Sequence, residues 1–179
     1  KITVTPDKTT QANIALRIPG WTPNAIVKVN GETMKGVASG EYYVINRQWN
    51  ADDEITLTME MPAHLVSLNQ SVAIERGPIV YARDSRFNDG FVDEVVTIPN
   101  KDGIIQMKTE ENGKDMWITV SVPMVRGTYN DASTDTRHIR LCDFASAGST
   151  WDERIRYRVW LPKLYTPDNP KSGQFQGYW

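Results

Sequence analysis

The stretch Glu54-Ile55-Thr56-Leu57-Thr58-Met59-Glu60-Met61 puts an apolar side chain at every second position, and Pro62 follows it. A period of two belongs to a strand with one buried face, because successive side chains of an extended chain point to opposite sides. The pattern recurs upstream over residues 13–18, where Ile14, Leu16 and Ile18 share a face opposite Asn13, Ala15 and Arg17 before Pro19-Gly20 stops the strand. Val29-Asn30-Gly31-Glu32 between two such runs is a hairpin signal, since both central positions of the tight turn want positive φ. Residues 41–47 read as a strand, and Trp49-Asn50-Ala51-Asp52-Asp53 as a turn into the stretch quoted first.

Downstream, strands are predicted over 65–68, 71–75, 79–83, 92–98, 104–108, 116–122, 138–144 and 154–161. Arg76-Gly77-Pro78 bends the chain, Asn100-Lys101-Asp102-Gly103 and Glu111-Asn112-Gly113-Lys114 have turn chemistry, and 127–136 reads as a polar loop around Tyr129. No window of eleven or more residues keeps a clean helical spacing, so crossover helices for a parallel sheet are missing. The expectation is an all-β, antiparallel β-sandwich of about a dozen strands, jelly-roll-like or of two plain sheets, over residues 1–165. Residues 166–179 read as a polar tail, mobile unless Phe175, Tyr178 and Trp179 dock on the domain.

Composition narrows the function. The 179 residues are 40% hydrophobic and 23% charged, with a formal net charge of −2. That balance argues against a nucleic-acid partner, which favours a basic excess. No apolar run approaches the roughly 20 residues of a membrane-spanning helix. One cysteine, Cys142, excludes an internal disulfide framework and any zinc site made of several cysteines. The chain starts at Lys1 with neither an initiator methionine nor a basic-apolar leader, which reads as a processed chain or a piece of a longer one.

The inventory for catalysis is thin. His64 and His138 stand at strand starts without a Gly-x-Ser-x-Gly companion, and both read as structural or surface groups. Cys142 offers a nucleophile or a ligand in principle, but on a strand it reads as a small core filler. Glycosidases need two carboxylates roughly 5 to 9 Å apart across the scissile bond. The adjacent groups Asp52-Asp53-Glu54, Glu110-Glu111 and Asp152-Glu153 alternate faces and read as solvated turn tips. Asp84, Asn88 and Asp89, or Asn130, Asp131 and Asp135, supply oxygens for calcium without the spacing of a dedicated loop. Asn69-Gln70-Ser71 matches the glycosylation acceptor pattern, which is common by chance. Of the six tryptophans, Trp117 and Trp160 lie inside predicted strands and read as core, whereas Trp21, Trp49 and Trp151 adjoin turns and are candidates for stacking on a sugar or for an interface.

The run Leu16-Arg17-Ile18-Pro19-Gly20-Trp21, then Val29-Asn30-Gly31, then Gly40-Glu41-Tyr42-Tyr43-Val44-Ile45-Asn46-Arg47-Gln48-Trp49 with Asp53, resembles the β-sandwich part of glycoside hydrolase family 127, which includes β-L-arabinofuranosidases. Glu75-Arg76-Gly77-Pro78-Ile79-Val80-Tyr81 resembles the family's arginine-glycine-proline strand, which adds Arg76 and Tyr81 to the candidate sugar-stacking or interface residues, and Val159-Trp160-Leu161-Pro162 resembles its closing strand. The resemblance implies an active site in an N-terminal (α/α)6 barrel, with a cysteine nucleophile and further cysteine and glutamate ligands around a zinc ion. None of that maps onto this chain: zinc is implied only for the absent barrel, and no catalytic residue, metal ligand or cofactor is assigned here.

The expectation is therefore a non-catalytic C-terminal β-sandwich module of a larger hydrolase, with its own N-terminal catalytic domain as partner. An independent carbohydrate-binding module for plant-derived, arabinose-containing glycans is the alternative, and a self-sufficient hydrolase ranks last. A module built to cover a barrel would expose an apolar or aromatic patch when alone, with dimerisation through that patch as a corollary. The resemblance points to the periplasm or the extracellular space, a location on which the residues themselves are silent.

Overall fold

The structure is a computed structural model that describes residues 1–125, 136–150 and 152–163. Trp151, the loop around Tyr129 with Asn130, Asp131 and Asp135, and the tail lie outside the described residues. The chain divides into two compact units, Lys1–Pro62 and Ala63–Trp179. The boundary inside the expected 1–165 domain falls at the proline that ends the alternating stretch.

The first unit is a small sandwich. Its strands are β1 (Ile2–Val4), β2 (Thr10–Arg17), β3 (Ala25–Val29), β4 (Glu32–Thr33), β5 (Tyr42–Trp49) and β6 (Asp53–Met59). One sheet runs β1-β6-β3-β4 and the other is β2-β5, all antiparallel. The inward faces meet in a core of Leu16, Ile18, Val27, Val29, Ile45, Trp49 and Ile55. The Asn-Gly hairpin forms as expected, with Val29 opposite Glu32 and φ of 50° and 84° at Asn30 and Gly31. Asn30 also reaches sideways, its side-chain amide donating to Asp53 at 2.7 Å and its side-chain oxygen accepting from the Glu54 amide at 2.8 Å. In the opening stretch, Ile55 is buried and Leu57 half-buried, but Met59 and Met61 are exposed because the paired strand ends there.

The second unit holds β7 (Ala63–Leu68), β8 (Ser71–Arg76), β9 (Ile79–Asp84), β10 (Asn100–Lys101), β11 (Ile104–Ile105), β12 (Lys108–Thr109), β13 (Thr119–Val125), β14 (Thr136–Asp143), β15 (Tyr157–Arg158) and β16 (Leu161–Pro162). They form one antiparallel sheet, ordered β10-β11-β7-β8-β9-β14-β13-β12, with β15 on β9 and β16 on β8. Only Gln106 and Met107 separate β11, near one end of that order, from β12 at the other. Two residues span less than about 10 Å, so the sheet must curl until its ends approach. The curl encloses a core that includes Ile74, Tyr81, Val122, Met124, Ile139 and Leu141.

Four expected strands change shape. Residues 92–98 make only single bridges, Val96 to Lys163 and Thr97 to Val125, although Val92, Val96 and Ile98 are buried. Their alternation serves burial, while the intervening carboxylates serve arginines. The 104–108 and 154–161 runs each break in two, because their halves pair with different neighbours. The strand expected from Met116 starts at Thr119, after a turn in which the Met116 amide donates to the Gly113 carbonyl at 3.1 Å.

Candidate functional site

Of the five side chains singled out for stacking or an interface, Trp21 is half-buried and Trp151 is outside the described residues. The structure corrects the expectation at Trp49. Its ring is 1% exposed, its indole N–H donates to the Ala12 carbonyl at 3.0 Å, and the Arg47 guanidinium lies 5.2 Å from its centre. No face is left for a sugar or a partner. Tyr81 is likewise inside the second core, where burial pushes its phenol up while the neighbouring Arg76, half-buried, works in the opposite direction.

Trp117 and Trp160, expected in the core, are 77% and 40% exposed. The cause is local: Trp117 precedes β13 and Trp160 sits in the bend between β15 and β16, so neither lies on a paired strand. The sequence signal for Trp117 was the Glu111-Asn112-Gly113-Lys114 turn just before it, which delays the strand by three residues.

The groups around Trp117 are held by buried polar contacts. Asp143, 5% exposed, accepts from the Ile118 amide at 2.9 Å, from the Ser146 amide at 3.0 Å and from the Ser146 hydroxyl at 2.8 Å. That hydroxyl accepts in turn from the Trp117 amide at 3.0 Å, and the Asn112 side-chain amide donates to the Trp117 carbonyl at 2.7 Å. The indole thus projects from a backbone fixed on both sides. Behind it, Asp84 takes a two-pronged pair from Arg86, at 2.8 and 2.7 Å, and a bond from the Gly148 amide at 2.9 Å. Burial alone pushes the Asp84 carboxyl up, but these donors outweigh it and hold the group below the usual carboxylate range.

Two hollows flank the segment. One of about 320 Å³ is lined by Asp115, Met116, Trp117, Ala145, Ser146 and Ser149. The other, also about 320 Å³, shares Asp115 and Met116 and adds Arg86, Lys114 and Arg140. Beside them, the Phe144 and Tyr157 rings stand 6.1 Å apart, both half exposed.

A further cluster pins residues 87–94. Arg83, with 1% of its side chain exposed, lies 3.5 Å from Asp89 and 3.4 Å from Glu94, and Arg137 pairs with Glu94. The Arg140 amide donates to Asp89 at 2.7 Å. These carboxylates are already occupied by arginines, so Asp84 and Asp89 are structural acceptors, not a set awaiting calcium.

The remaining candidates for chemistry are similarly committed. Asp53, expected as a solvated tip, is buried, and bonds from the Asn50 amide and the Asn30 side chain lower its carboxyl. Arg154 holds half-buried Asp152 down to about 2. His138 is exposed and His64 half-buried. Cys142 packs with Phe87 and Met116, and burial pushes its thiol up to about 12, so it is protonated at neutral pH. A zinc ion does not fit these residues: among the described residues no three His, Cys, Asp or Glu side chains gather to hold a metal. No helix among them is long and apolar enough to cross a membrane.

A separate surface lies on the outer side of the curled sheet. The register sets Ile104, His64, Glu75 and Val80 side by side across four strands. Val66 and Leu68 share the face of His64, and Ile104, Val66, Leu68 and Val80 are all exposed.

Residues 1–61 match the family model of the middle domain of GH127 β-L-arabinofuranosidases. No curated protein matches the chain. Among solved structures, the chain is similar to the GH127 β-L-arabinofuranosidase of Geobacillus stearothermophilus T6, with a TM-score of 0.68 and 24% identity over 90% of this chain and 28% of the other. A glycoside hydrolase gives 0.63 and 20% over 91% of this chain and 29% of its own. A GH127 β-arabinofuranosidase gives 0.62 and 24%, over 87% and 29%. At these identities the structures speak for the fold, and the chain spans less than a third of their length. The family model covers the first unit alone, about a third of the chain, and residues 1–61 are similar there to the middle domain of GH127 β-L-arabinofuranosidases.

Proposed function

We propose that this chain is a non-catalytic β-sandwich module of a larger β-L-arabinofuranosidase-like hydrolase, packing against and supporting an (α/α)6 catalytic barrel. The observation that carries the reading is the match of residues 1–61 to a domain described as the middle one of that family. For residues 1–61 the match speaks for a middle position, whereas the motifs pointed to a C-terminal one. Two features of the second unit support it. Its buried carboxylates are saturated by structural donors, and the outer sheet face of Val66, Leu68, Val80 and Ile104 is apolar enough to meet another domain.

The purified chain should not hydrolyse arabinofuranosides. Turnover that disappears in Cys142→Ala would overturn the reading. In the longer parent, Val66→Asp with Leu68→Asp should lower the melting temperature of the barrel. An unchanged barrel transition would remove the packing role of that face.

A further inference from the structure

We infer that the hollow beside Trp117 is a saccharide-binding subsite of the second unit, with the indole as its floor. This rests on the chain being a module of a glycoside hydrolase.

A sugar ring has an apolar face of C–H groups and a rim of hydroxyls, so its recognition needs an exposed aromatic plane next to hydrogen-bonding groups. Trp117 supplies the plane at 77% exposure. Asp115, exposed and lining the same hollow, supplies an acceptor carboxylate, and Ser149 a hydroxyl. The volume of about 320 Å³ lies at the small end of ligand pockets and suits one or two sugar units.

The support beneath the ring separates this place from an incidental surface tryptophan. Trp117 is bonded on its amide by Ser146 and on its carbonyl by Asn112, and Ser146 is fixed by buried Asp143. Ser149 is tied to the same segment through its hydroxyl, which donates to the Asp115 carbonyl at 3.4 Å. A ring on a fixed backbone loses little freedom on binding, and its few rotatable bonds keep that cost low. A face meant for a protein would be more uniformly apolar, whereas half of this lining is polar. Trp160, exposed in the bend between β15 and β16 and outside this hollow, serves as the internal control.

The test is titration of the 179-residue chain with arabino-oligosaccharides and gluco-oligosaccharides of two to four units, read by tryptophan fluorescence and by indole N–H shifts. Saturable binding at millimolar affinity or tighter of either set supports the subsite. Trp117→Ala should weaken it at least tenfold and Asp115→Asn several-fold, while Trp160→Ala leaves it unchanged. Because the indole is exposed, an unaltered melting temperature in Trp117→Ala confirms that lost binding is not lost folding. Flat titrations to about 10 mM, or full binding by Trp117→Ala, overturn the subsite. Flat titrations alongside a destabilised barrel in the parent's Val66/Leu68 variant remove the subsite and leave the module reading standing.

Discussion

The two units solve the same problem, closing antiparallel strands over a core, with different materials. Lys1–Pro62 does it with two plain sheets, tight turns and an apolar interior crowned by Trp49. Ala63–Trp179 curls one sheet upon itself and then ties down its loops with buried charge: Arg83, Asp84 and Asp143 are each at most 5% exposed. In the first unit the turns are coded locally, and the strands they place then pair through apolar faces over long separations, β1 with β6 and β2 with β5. The second adds charged pairs such as Arg137–Glu94 and Arg140–Asp89, which tie a loop to β14 across 43 and 51 residues of chain.

The contrast can be broken most directly at its two largest buried side chains. Trp49→Ala should cost about 3 to 5 kcal/mol in urea unfolding, and Trp49→Phe should recover more than half of that, because shape is what the first core requires. Arg83→Ala should cost a similar ~3 to 5 kcal/mol, but Arg83→Lys should recover little, because the planar fork and its two carboxylates are the requirement. Equal recovery at both sites would erase the distinction.

Ser146→Ala tests the polar support at Trp117. It leaves the Trp117 amide and one Asp143 oxygen short of a partner, for a loss of about 1 to 3 kcal/mol. A loss under ~0.5 kcal/mol would mean that water replaces the hydroxyl.

Matched glycines sharpen the comparison. Gly31 has φ of 84° and open space around it, so Gly31→Ala should cost only the backbone strain, roughly 1 kcal/mol. At Gly90, φ is 129°, and an added Cβ would meet Glu94 at 2.8 Å and Arg83 at 3.0 Å. Gly90→Ala should therefore lose more, about 2 to 3 kcal/mol, and a double variant with Arg83 should fall short of additivity.

The mildest effect is in acid. Asp53 and Asp84 have carboxyls lowered in the folded state, so the unfolded chain binds more protons between the two values. Their stabilisation is present above the ordinary carboxylate value of about 4 and is lost as pH falls through the folded value. Asp53→Asn should flatten the acid limb for first-unit amides in hydrogen exchange, and Asp84→Asn should do so for the second unit. A limb of unchanged slope in either variant would refute the assignment.

What was legible follows the same division. The Asn30-Gly31 hairpin, the 50–53 turn and the alternation around Leu16 and Ile55 are local codes, and the strands formed where these placed them. The buried place of Trp49 was hidden because it depends on the Ala12 carbonyl meeting its indole from the paired strand, 37 residues away. Trp117 was misplaced because a tryptophan beside Ile118 and Val120 looks like strand, whereas the turn at Gly113 and the hold of distant Ser146 decide where the strand begins. Arg83 showed no signal at all, since an arginine in a strand reads as an outward residue until its carboxylates arrive from another segment.

The curl of the second sheet governs association as well as packing. Its terminal strands, Asn100–Lys101 and Lys108–Thr109, are two residues long and each carries a lysine, while Thr97 caps the far end of β13. Short, charged edges give an incoming chain almost no template for strand addition, which is how sheet proteins avoid aggregating edge to edge. In the first unit, β2 and β5 are eight residues each and, among the described residues, pair only with one another. Self-association by strand addition would therefore begin at β2 or β5, and substitutions that protect this chain from aggregation belong on those two strands.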